Sequence, residues 1–243
     1  MFTKVFEKFF TPTDSVLFIL RQIVSQENKK VQRPMSIKDQ VFFIFANRMI
    51  IDAESALLLL KKGYYGSAYS LIAIMLRNEA MFASLISDEA RLTAFWNEEK
   101  DTYQTDRGFY DSFKESCVRK VAQKEFGADA FHKSDLEKLL HGSCYAIRKA
   151  YSQKKFGEDG KSYPLIRMGK FFDKNNKRNA DLLVRGALLD FLGIIFTDQQ
   201  KSSKAAYKRE YAYYDAVIAK TQSDIAKEER RLTRVSNEQK IIH

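Results

Sequence analysis

The sequence predicts an all-α protein, a multi-helix bundle with a central apolar hairpin and a long C-terminal helix. Three observations carry that prediction. Among 243 residues there are only 10 Gly and 3 Pro, too few turn formers for a many-stranded β fold. The chain is rich in Ala, Leu, Lys, Glu and Gln, all good helix formers. Apolar residues recur three and four apart over stretches longer than a strand, and a hydrophobic content of 45% supplies the core of one large domain.

Taken in order, Thr11-Pro12-Thr13-Asp14 reads as a helix start: a threonine cap, proline in the first turn and an acid three residues after the cap. The helix it opens runs to about residue 28, and the basic stretch KKVQRP comes next as a linker. From 36 to 62 the cluster Phe42, Phe43, Ile44, Phe45, Met49, Ile50, Ile51 and Leu57 to Leu60 predicts a long apolar helix that Gly63 ends. A second apolar helix spans about 64–86. Its segment LIAIML is apolar on every side, which places it at the centre of a bundle. Further helices are expected at about 88–100, 107–125, 134–154, 178–198 and 203–238.

The mixture of glycine, lysine and aromatics from about 156 to 176 breaks the helical pattern and reads as a loop or a small hairpin. The domain organisation is thus a helical bundle over 1–200, with a basic insert at about 155–177, and a C-terminal helix within 201–243. In that last helix Tyr207, Tyr211, Tyr214, Ile218, Thr221, Ile225, Glu228, Leu232 and Val235 alternate four and three apart, the seam of a coiled coil. At 1.5 Å per residue it is about 50 Å long. It either packs along the bundle or makes a homo-oligomer through 203–238; Thr221 and Glu228 on the seam weaken both readings equally.

Charge narrows the partners. The formal net charge is +10 and the pI is near 9.4, which favours RNA or DNA, an anionic surface or an acidic partner protein. Between residues 148 and 178 stand ten Lys or Arg against three acids, a local net of +7. Arg148, Lys149, Lys154, Lys155, Arg167, Lys170, Lys177 and Arg178 are the nucleic-acid-binding candidates, with Tyr151, Phe156, Tyr163, Phe171 and Phe172 interleaved. Cations neutralise phosphates and aromatic rings stack on exposed bases. The competing reading is a solvated basic loop whose aromatics tuck into the core.

Two polar constellations stand out. On the helix expected at 134–154, Leu136, Leu139, Leu140, Ser143, Ile147 and Tyr151 make the buried stripe, while Lys138, His141, Tyr145, Arg148 and Ser152 lie opposite. His141 with Tyr145 and Arg148 forms either a phosphate-binding or acid–base face, or a solvated one. The second constellation is Arg77-Asn78-Glu79 after a uniformly apolar run. Arg77 and Glu79 point about 200° apart, so each looks to another helix. Glu54, on the face shared with Asn47, Ile50 and Leu57, is the expected partner of Arg77. The functional alternative gathers Arg77, Glu79 and His141 in one pocket.

The segment AESALLLLKKGYYGSAYSLIAIMLRNEAMF, a helix ending in Lys-Lys-Gly-Tyr-Tyr followed by an alanine-bearing helix with Arg-x-Glu, resembles the start of HEPN-like helical bundles. It is also similar to bacterial proteins that carry a later His-Gly-Ser segment, as His141-Gly142-Ser143 does here; the likeness covers about residues 40–152. The resemblance implies a helical bundle from a prokaryotic or phage-defence setting, whose active members are metal-independent ribonucleases. Their signature is an arginine followed, after four to six residues, by a histidine. No arginine precedes His132, His141 or His243 at that spacing, so the catalytic role is not carried over. The expected role is therefore binding or sensing through a basic face; the alternatives are a ribonuclease with a different pocket around His141, and an oligomeric scaffold.

Other classes lack their motifs. There is no GxxxxGK followed by Ser or Thr, no GxGxxG, no HExxH and no GxSxG, and with them go an ordinary NTPase, dehydrogenase, zinc protease or serine hydrolase. Cys117 and Cys144 are isolated, so no metal site, cofactor or disulfide scaffold is expected and a reducing compartment fits. The start MFTKVFEKFF carries Lys4, Glu7 and Lys8, unlike a secretory signal. No stretch of about 18 apolar residues is free of charge. A cytoplasmic protein without a membrane span is the expectation.

Overall fold

A computed structural model describes residues 11–30, 34–97, 115–126, 152–156, 162–166, 174–202 and 214–224, with isolated positions at 210, 212, 226, 227 and 230. The described residues form a helical bundle with a two-stranded hairpin between its fifth and sixth helices.

Helix α1, Pro12–Lys30, begins where the sequence places it. The Asp14 amide donates to Thr11 Oγ1 at 3.2 Å and the Thr11 amide donates to the Asp14 carboxylate at 3.1 Å, a reciprocal cap that satisfies two otherwise orphaned donors. Helix α2, Ile37–Lys62, is capped by the Ser36 hydroxyl, which accepts from the Asp39 amide. It stops at Gly63, whose φ of 83° is the left-handed conformation that costs a side-chain-bearing residue about 1–2 kcal/mol. Helix α3, Tyr65–Ile86, comes directly after it, making the expected hairpin.

Helix α4, Glu89–Trp96, is short; the Asp88 carboxylate accepts from the amides of Ala90 and Arg91. Helix α5, Glu115–Phe126, overlaps the expected 107–125 stretch and ends one residue past it; residues 107–114 fall outside the described set. Strands β1, Ser152–Phe156, and β2, Ser162–Ile166, pair antiparallel. They correct one expectation: residues 152–154, assigned to the end of a helix, are extended. The rest of that expected helix lies outside the described residues. Helix α6, Lys174–Ser202, starts four residues before its expected beginning and ends four after it. Residues 214–224 are helical as well.

The core is built around α3, which contacts α2, α4, α5 and α6. Ile72, Ala73, Met75 and Leu76 of the LIAIML segment are buried, as its all-round apolarity requires. By length and composition α3 would also suffice to cross a membrane; here most of it is buried within the bundle. Phe82 of α3 is the hub of an aromatic cluster, with ring centroids 5.8 Å from Phe45 of α2 and 4.8 Å from Phe191 of α6, the offset range in which aromatic pairs attract. Met81 packs partly buried against this core, whereas Trp96 is 37% exposed.

The C-terminal seam has a defined partner where it is described. Tyr214, Val217 and Ile218 pack against the core, Thr221 is buried, and the Tyr214 ring meets Phe196 of α6 edge-on at 5.1 Å. Over 214–224 the helix therefore lies along its own bundle, the first of the two arrangements its heptad pattern allows.

Candidate functional site

The candidate interface is the basic segment, of which the structure describes the hairpin backbone and the start of α6. In the register of the hairpin, Lys154 stands opposite Pro164, Lys155 opposite Tyr163 and Phe156 opposite Ser162. Directly paired positions of an antiparallel ladder lie about 4.5–5.5 Å apart at Cβ, so Lys155 and Tyr163 occupy adjacent positions across the ribbon. The first turns of α6 carry no acid; Lys177 and Arg178 there are exposed. Cations at a helix N-terminus are unfavourable to the helix itself, and they add to the positive potential that the unpaired N–H groups already create at that end. Arg148, Lys149, Arg167 and Lys170 lie outside the described residues, as do His141 and Tyr145.

The second set of candidates is rearranged. Arg77 is exposed, whereas Glu79, two residues on, is only 3% exposed. Glu54 is not the partner of Arg77: it forms an ion pair with Arg21 of α1, and its side chain is 43% exposed. The reason lies in α2, which is apolar on more than one side. Its buried stripe is Val41, Phe45, Met49, Ala53, Ala56 and Leu60, so the face holding Asn47 and Glu54 looks outward. Among the described residues, no three His, Cys, Asp or Glu side chains group as metal ligands would.

The strongest polar constellation is one that sequence reasoning misses. Arg185 of α6 is 4% exposed. Its Nη2 donates to Asp181 and its Nη1 to Asp224, both at 3.0 Å, while Nε donates to the Thr13 hydroxyl at 3.3 Å and Nη1 reaches the Thr221 hydroxyl at 3.5 Å. Thr13 in turn donates to Asp181 at 3.0 Å, and Thr221 to the Val217 carbonyl at 2.8 Å. One guanidinium thus ties α1, α6 and the 214–224 helix together, its planar fork matching two carboxylates. The signal in the sequence is an arginine inside the apolar run LLVRGALLD, which requires a buried partner when the helix is central.

No protein-family model matches the chain, and no curated protein or solved structure is significantly similar to it.

Proposed function

We propose that this chain is a nucleic-acid-binding helical bundle that grips single-stranded RNA or DNA through its basic segment 148–178, in a setting like that of HEPN-like defence proteins. The reading is supported above all by the hairpin, a ribbon inside a stretch of net charge +7 in which Lys155 stands opposite Tyr163. Lysines neutralise backbone phosphates with release of counterions, and an adjacent ring offers a stacking surface indifferent to base identity. Lys177 and Arg178 are exposed on the next element and add to the positive charge of the segment. The defence setting rests on the sequence resemblance alone.

Fluorescence anisotropy with labelled single-stranded oligonucleotides tests the proposal. Affinity is expected to fall steeply between about 50 and 200 mM salt. Replacing Lys155, which shares a face of the ribbon with Tyr163, by Gln removes one phosphate contact and flattens the log–log salt slope by about 0.7. Tyr163→Ala is expected to cost about 1–3 kcal/mol of binding with the slope unchanged. Binding that ignores salt, or no binding at all, contradicts the proposal.

A further inference from the structure

Helix α2 gives way to α3 through Lys61-Lys62-Gly63-Tyr64-Tyr65, and the turn is fixed by its backbone. The Gly63 amide donates to the Leu60 carbonyl at 3.2 Å and the Tyr64 amide to that of Leu59 at 2.9 Å, the paired bonds of a Schellman cap. The two tyrosines part company there: Tyr65 is 1% exposed and belongs to the core, whereas Tyr64 is 45% exposed. Lys61 and Lys62 are exposed beside it. The helix dipole accounts for lysines in a last turn, but not for the ring held in water next to them.

Two contacts fix how α6 runs against α2. Lys38, in the first turn of α2, pairs with Asp198 of α6. Phe82 of α3 meets both Phe45 and Phe191, each seven residues from that ion pair along its own helix. The two helices are therefore antiparallel. From Lys38 to Lys62, and from Asp198 back to Lys174, each runs 24 residues, about 36 Å at 1.5 Å per residue. The end of α2 and the start of α6 thus stand level at one end of the bundle, where Lys177 is also exposed.

We propose that the α2–α3 turn is a second contact site for the single-stranded nucleic acid held by the basic segment, with Lys61 and Lys62 neutralising phosphates and Tyr64 stacking on a base. The inference rests on the reading of 148–178 as a nucleic-acid surface, whose last residues open α6 at this end of the bundle. The acids that α1, α2, α6 and the 214–224 helix carry toward the same end are engaged elsewhere: Asp14 in the Thr11 cap, Asp52 with Arg48, Glu54 with Arg21, and Asp181 and Asp224 with Arg185. The lysines of the turn therefore keep their charge for a polyanion, and the ring between them and α3 offers a face that any base can stack on.

Anisotropy titrations of the intact chain with a labelled single-stranded oligonucleotide, repeated across salt concentrations, test the site. Replacing Lys61 and Lys62 together by Gln should flatten the log–log salt slope by about 1.4. The same exchange at Lys29 and Lys30 should leave the slope unchanged: they are exposed at the far end of α1, whose first turn meets Asp181. Tyr64→Ala should weaken binding by about 5- to 150-fold, and Tyr64→Phe, which keeps the ring, should bind as wild type. Helical circular dichroism should be the same for all four variants. Equal flattening by the two lysine pairs, or full affinity in Tyr64→Ala, overturns the proposal; a slope still flattened by Lys155→Gln would then leave the reading of the basic segment standing. A wild-type chain that binds no oligonucleotide overturns both.

Discussion

Arg185 and Arg77 present the same picture in sequence, each an arginine directly after an unbroken apolar run on a helix, three residues before Arg185 and six before Arg77, yet one is buried and the other exposed. The difference is set by the phase of each helix against its neighbours, which a single sequence does not carry. For Arg185 the partners are also remote: Thr13 is 172 residues away and Asp224 is 39. Truncating the arginine leaves Asp181 with the Thr13 hydroxyl and Asp224 with Lys220 at 3.8 Å in place of the guanidinium that neutralises both. Arg185→Met is therefore expected to lower the unfolding free energy by about 3–5 kcal/mol in urea titrations, far more than Lys38→Met, whose ion pair with Asp198 leaves the lysine half exposed and so is worth at most about 1 kcal/mol. Equal effects of the two substitutions would show that the Arg185 cluster does not hold the fold.

Where a cap is present, a helix boundary is legible because caps are local chemistry. Thr11 with Asp14, and Gly63, act where their spacing places them. The sidedness of α2 is hidden, since two apolar stripes on one helix leave its orientation undetermined until α3 and α6 select one. The docking of the C-terminal helix hinges on a similar close fit. A Cβ built on Gly193 of α6 would stand 2.8 Å from the Tyr214 hydroxyl and 3.9 Å from its ring carbon Cζ. Gly193→Ala alone should then loosen the 214–224 helix, offsetting the roughly 1 kcal/mol that alanine contributes within a helix. In a Tyr214→Phe background the obstructing oxygen is gone and the same change should stabilise. A double-mutant cycle read by thermal unfolding checks this; additive effects would mean that the two residues do not touch.

For the whole molecule, fold class is readable from composition and periodicity, because few turn formers and continuous helical spacing leave little else to build. The basic segment is readable too, as +7 of the chain's formal +10 lies between residues 148 and 178. The hairpin inside it is only one of two alternatives in sequence, since a short polar run with scattered aromatics carries no strong period of either kind. Of the alternative pocket that would gather Arg77, Glu79 and His141, the structure describes the α3 residues alone, Arg77 exposed and Glu79 buried. The positive segment is the feature that a partner would recognise at a distance, through a field that salt screens. Hydrogen–deuterium exchange of the intact chain, with and without a single-stranded oligonucleotide at low salt, tests that claim most directly. Slower exchange in peptides spanning 152–178, with the interior of α3 unchanged, is the outcome expected; protection elsewhere alone, or none anywhere, would contradict it.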